Sequence, residues 1–203
     1  MEKRIASFIS YLFHPLLMPT YMMAIIFSQP VFISSCIPTD KKLFILAYVF
    51  IVTFLFPVAL SFVFLKMKII HSLRMETRQE RTLPYLSTII FYYAIYYLMK
   101  SNEIFIIYQI LFLAIILVTI LCFFINFKFK ISIHTMAIGA LTGIMIGLSI
   151  RLNITMLMFI LPLFIISGLI GFARLALNAH RSIEVYTGYL LGIGFMLLMF
   201  FFL

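Results

Sequence analysis

The chain has 203 residues, 65% of them hydrophobic and 10% charged, with 15 Lys and Arg against 6 Asp and Glu for a net charge of +9. A soluble domain draws roughly 25% of its residues from the charged types, so these side chains cannot cover a water-facing surface, and the same apolar content excludes disorder. Two cysteines, Cys36 and Cys122, lie far apart in apolar surroundings, which fits neither a disulfide framework nor a zinc site.

A bilayer span needs about 20 mostly apolar residues, and polar punctuation divides this sequence into seven candidates. The first covers residues 8–29 and is interrupted by His14-Pro15 and Pro19, so it is expected to be kinked or re-entrant. Its charged start has a signal peptide's look, but no small-x-small cleavage site follows, and it is read as retained. The others cover 43–65, 83–99, 104–127, 131–150, 154–171 and 183–203. The predicted fold is therefore all-α: a polytopic transmembrane helical bundle of six to seven spans. It forms a single integral membrane domain over 1–203, with the motif-bearing core at about 66–203. Tyr92, Tyr93, Tyr96 and Tyr97 supply interfacial rings in a chain without tryptophan, and Pro57 and Pro162 mark bends.

If all seven segments cross, the connections alternate between two faces. One face holds the N-terminus and the segments 66–82, 128–130 and 172–182, with 11 of the Lys and Arg residues; the other holds 4. The positive-inside rule places the first face in the cytoplasm, and the bias persists at 8 to 4 without Arg74, Arg81 and Arg174. The chain reads as a multi-pass protein of a bacterial inner (plasma) membrane.

The first face gathers Arg74, Arg78, Arg81, Arg174 and Arg181 with His71, His180, Glu76, Glu80 and Glu184, and Ser132 and His134 join them at the start of the fifth span. Guanidinium groups present planar, bidentate donors suited to phosphate oxygens. The plain alternative is basic residues that touch lipid headgroups. Ser132 is a good N-cap and would set His134 in a first helical turn, where unpaired N–H groups attract anions. His180 and Glu184 are one helical turn apart, so with a last helix beginning near Asn178 the carboxylate can accept from one ring nitrogen and leave the other as a nucleophile.

These pieces resemble the signature of the type 2 phosphatidic acid phosphatase superfamily, which is Lys-x6-Arg-Pro, then Pro-Ser-Gly-His, then Ser-Arg-x5-His-x3-Asp. Here they read Arg74-x6-Arg81 with Pro84 displaced by two, Ile131-Ser132-Ile133-His134, and Ala173-Arg174-x5-His180-x3-Glu184. The resemblance implies that Arg74, Arg81 and Arg174, with Ser132, hold a phosphate. It further implies that His180 attacks phosphorus, Glu184 orients His180, and His134 protonates the leaving oxygen. It implies a lipid phosphate or diphosphate substrate, membrane lipids as surroundings, no cofactor, no metal and no nucleic acid, and it often puts such a site on the outer face of the inner membrane. Arg74, Ile133, Ala173 and Glu184 depart from the signature. The rival expectations are a non-catalytic protein on the same scaffold that binds phospholipid headgroups, and a transporter. The transporter is disfavoured because no charged residue falls inside a predicted span.

The fifth span carries Gly139-x3-Gly143-x3-Gly147 and the seventh Gly188-x3-Gly192. Such spacing lets helix backbones approach in lipid. The contact would set His134 beside His180, or it serves generic packing only. His14 is expected to bond a carbonyl freed at its kink, or to act as a gate or a ligand facing lipid.

Overall fold

The computed structural model describes residues 1–203 apart from Val31, Arg74, Glu76, Glu103 and Leu203, and for Phe32, Ile33 and Arg78 the backbone alone. The described residues form helices and connections, with no β-strand among them. In chain order the helices are α1 (Glu2–Leu12), α2 (Met18–Ser28), the short α3 (Phe32–Ser35), α4 (Thr39–Phe50), α5 (Phe56–Lys66), α6 (Arg78–Ser101), α7 (Ile106–Asn126), α8 (Ile133–Arg151), α9 (Leu157–Ala176) and α10 (Ser182–Phe201).

Among the described residues six stretches are long and apolar enough to cross a bilayer: Glu2–Ser28, Thr39–Lys66, Ile106–Asn126, Ile133–Arg151, Leu157–Ala176 and Ser182–Phe201. The protein is a multi-pass, all-α membrane bundle, as the sequence predicts. Helix α6 has 24 residues, but its charged first turn and its tyrosines keep it less apolar than the six. Exposed side chains repeat at helical spacing, as in Leu161, Ile165 and Leu169 of α9 or Tyr186 and Leu190 of α10. Such stripes suit a helix face whose solvent is lipid.

The chain divides into two compact units, one of Met1–Met18 with Phe124–Leu203, the other of Pro19–Phe123. In the first unit α8 is the central helix, buried from Thr135 to Leu148, with α10 and α9 against it and α1 against α9. Glycines make the α8–α10 contact possible. A Cβ on Gly143 would stand 2.9 Å from the Ile193 carbonyl oxygen, and one on Gly188 would stand 2.7 Å from the Ser132 carbonyl oxygen. At Gly139 and Gly192 a Cβ would collide with the carbonyls of Tyr189 and Met136. The glycine repeats thus form the interface between the helices that carry His134 and Glu184.

In the second unit the span Thr39–Lys66 contains a π-helical turn, Ile51–Leu55, just ahead of Pro57. Proline lacks the N–H that would continue the α-helical ladder, and the wider turn absorbs the gap. Helix α6 starts at a capping box: Thr77 Oγ1 accepts the Glu80 N–H and Glu80 Oε2 accepts the Thr77 N–H. This box sets the start of α6 at Arg78, five residues before the predicted span, so Arg81 lies in a helix and not in a loop.

Helix α9 likewise runs to Ala176, past the predicted end at 171, and takes Arg174 into its last turn. A Schellman motif stops it: Asn178 has φ 52°, its N–H bonds the Leu175 carbonyl at 2.9 Å, and the Ala179 N–H bonds the Arg174 carbonyl at 3.1 Å. Asn178 therefore ends one helix where the sequence reading had it begin the next. Helix α10 starts only at Ser182. Lys68 and Asn153, with φ 59° and 50°, end α5 and α8 in the same way.

The first segment breaks at His14, which is extended (φ −64°, ψ 138°) ahead of Pro15, continues as a 3-10 turn over Pro15–Leu17, and resumes as α2. The whole of Glu2–Ser28 is long enough to span as one broken piece.

Candidate active site

Within the first unit the end of α9, the turn after it, the start of α10, the start of α8 and the last turn of α1 meet. The Asn178 turn brings the chain back so that His180 stands just ahead of α10. Its Nδ1 lies 2.8 Å from Glu184 Oε2, and the two side chains are 3% and 11% exposed. Glu184 is the third residue of α10, and its carboxylate also accepts the Arg181 N–H at 3.2 Å. Accepting from both amide and ring fixes the carboxylate, and through it the plane of the imidazole. With Nδ1 turned to a carboxylate, the two ring nitrogens are set apart in direction by one fixed contact.

Ser132 occupies the N-cap position of α8 (φ −82°, ψ 107°), but its hydroxyl makes no capping hydrogen bond. The predicted cap is thus realised in position only. Its N–H instead donates to the Glu184 carbonyl at 3.1 Å, tying the start of α8 to the first turn of α10. Its Oγ is fully buried and has no hydrogen-bond partner among the described residues. His134, two residues on, is half-buried in the first turn of α8 and interacts electrostatically with Arg174, His14 and His180.

Arg174 Nη1 donates to Ser10 Oγ of α1 at 3.3 Å. The ring of His134 donates to the backbone of the same Ser10. His14, one turn further along, sets its ring 5.5 Å from that of His134, edge to face at 79°, while its Nδ1 accepts the Leu16 N–H at 3.3 Å. At its kink His14 accepts from an amide, because the 3-10 turn leaves an N–H in need of an acceptor. Among the described residues no group of three or more His, Cys, Asp and Glu side chains is placed to hold a metal ion.

Of the residues singled out in the sequence, the first unit brings together His134, His180, Glu184, Arg174 and Ser132. Arg81 belongs to the second unit, where it is 7% exposed and its Nε donates to the Met75 carbonyl at 2.9 Å. Met75 is held at φ 48°, unusual for a residue with a side chain. Arg74 lies outside the described residues. His71, 87% exposed, bonds Glu80 through its backbone N–H at 2.8 Å and its Nδ1 at 3.0 Å, so it holds a loop to α6. Sequence reading missed Ser10 and left His14 with its kink. The signal was there: Ser7, Ser10 and His14 fall three and four apart in the apolar stretch that follows Arg4, a polar stripe of helical period.

No family model, curated protein or solved structure matches the chain.

Proposed function

We propose that the protein is a membrane lipid phosphatase that cleaves a phosphomonoester or diphosphate of a lipid through a phosphohistidine on His180. One observation carries the reading: a buried histidine whose Nδ1 is engaged by a carboxylate shares a polar cluster with a second histidine and an arginine at one end of a helix bundle. The motif resemblance supplies the roles. In the first displacement His180 Nε2 bonds to phosphorus, the bond from phosphorus to the lipid oxygen breaks, and His134 passes a proton to that oxygen. In the second, water attacks the phosphohistidine, its proton goes to His134, and the N–P bond breaks to release phosphate.

Arg174 offsets the charge that builds on the transferring group. The buried, partnerless hydroxyl of Ser132 supports a ligand with acceptor oxygens at that point, because such groups are almost always paired. Arg81 and Arg74 enter the proposal through the motif resemblance alone. The assay is phosphate release from the detergent-solubilised protein over several lipid phosphates, with and without chelator. His180→Ala should lower release by at least about 100-fold. Release equal to that of the unaltered protein sinks the reading, and headgroup binding without turnover would identify a non-catalytic scaffold.

A further inference from the structure

Two of the three motif pieces, those of Ser132–His134 and Arg174–Glu184, belong to the first unit, yet the cluster there has a further wall, built by the first helix. Ser10 is 6% exposed on a helix otherwise rich in apolar side chains. Its hydroxyl accepts from Arg174 and its backbone receives the ring of His134, so one residue holds two members of the proposed site. His14 follows on the same side of the segment.

Two roles compete for His14. A cap for the helix break needs only an acceptor for the Leu16 N–H, and a short polar side chain such as Asn serves that purpose well. A cap has no need of an aromatic ring against His134. The His14 ring stands 5.5 Å from that of His134, edge to face, so it packs directly against the ring that also meets Ser10. With one His134 nitrogen spent on Ser10, only the other can meet a leaving oxygen, so the ring's orientation decides whether the proton is delivered.

We infer that Ser10 and His14 are positioning residues: Ser10 anchors Arg174 and one nitrogen of His134, and the His14 ring locks His134 with its second nitrogen turned to the leaving oxygen. The inference rests on the phosphatase reading for its functional meaning. It extends the site to a helix that none of the three motifs includes.

The test is His14→Asn, which keeps the acceptor for the Leu16 N–H and removes the ring. Against an alkyl lipid phosphate, whose alkoxide must be protonated, kcat/KM, which covers the steps through departure of the leaving group and not the second displacement, should fall at least about tenfold. Against nitrophenyl phosphate, whose leaving group departs without a proton, kcat/KM should stay near that of the unaltered protein, although kcat can fall because His134 also serves the second displacement. His134→Ala, measured alongside, should show the same split in kcat/KM. Equal losses of kcat/KM on both esters, or no loss on either, overturn the positioning role and leave a cap.

If His134→Ala shows no split, or the unaltered protein cleaves neither ester, the phosphatase reading is what fails. Long-range 15N–1H spectra of histidine-labelled protein then decide the placement on their own, since the chain has 4 histidines to assign. One His134 tautomer that becomes a mixture in His14→Asn supports the lock. An unchanged tautomer overturns it.

Discussion

Glu184 shows how one side chain joins folding to chemistry. As the third residue of α10 it closes the helix start by accepting the Arg181 N–H, and the same oxygen meets His180 Nδ1. Glu184→Gln separates the two roles, because an amide oxygen still accepts from Arg181 but no longer stabilises a charged imidazole or the phosphorylated ring. Activity should fall about 10- to 100-fold, the usual cost of removing a supporting partner, while thermal stability barely changes. Full activity in that variant would reduce Glu184 to a helix cap. Glu80 plays the structural half of this part in the other unit. The His71 N–H above all, with Thr77, holds its carboxyl at about 2 against an ordinary 4.5. A depressed value means that the charged carboxylate favours the fold. Its contribution is complete above about pH 4.5 and fades as the pH falls towards 2. Thermal unfolding of Glu80→Gln against the parent should therefore show a gap at neutral pH that closes in acid; a gap constant with pH would assign the effect to packing.

Among elements, the α8–α10 pair sets the distance on which the proposed chemistry depends. Gly139 and Gly192 face carbonyls of the opposite helix, so an added methyl must push the helices apart. Gly139→Ala and Gly192→Ala should each cost about 1–3 kcal/mol, the range for overpacking a close contact, and should lose activity together with stability. Gly168 of α9 has open space where its Cβ would be. Gly168→Ala should be neutral or stabilising by up to about 1 kcal/mol, as alanine is the better helix former. Equal behaviour of the three variants, read by thermal unfolding in detergent, would show that the glycines do not set the approach. The spans themselves were legible because lipid demands one simple thing, about 20 apolar residues in a row. Their ends were not, because charge was read as the stop signal. Arg174 instead sits in the last turn of α9, and the stop is the left-handed Asn178 two residues beyond Ala176. The start of α6 could have been read from Thr77-x-x-Glu80, a capping-box spacing that went unused. No local pattern, by contrast, could tell that Ser10 would meet Arg174, since 164 residues separate them.

For the whole molecule the open variable is the direction of insertion, and the first unit carries its own charge record. Lys128 and Lys130 just ahead of α8, Arg174 in the last turn of α9 and Arg181 just ahead of α10 lie at the end of these helices where His134 and His180 meet, and Arg151 lies at the opposite end of α8. Setting Arg174 aside as part of the proposed site leaves the asymmetry intact. The positive-inside rule assigns the basic end to the cytoplasm, whereas the family resemblance often places such a site outside. The charge asymmetry is the stronger argument, because it acts on this chain's own loops during insertion, and those loops are short enough to be counted. Ser182 and Thr155 are exposed at the two ends, and each accepts cysteine with little change in size. In a Cys36→Ser background, which removes the exposed native thiol, Thr155→Cys should react with a membrane-impermeant maleimide in intact cells. Ser182→Cys should react only after permeabilisation. The reverse pattern would turn the cluster outward, towards lipid phosphates presented at the outer leaflet, and would leave the helix packing and the His180–Glu184 pair as they are.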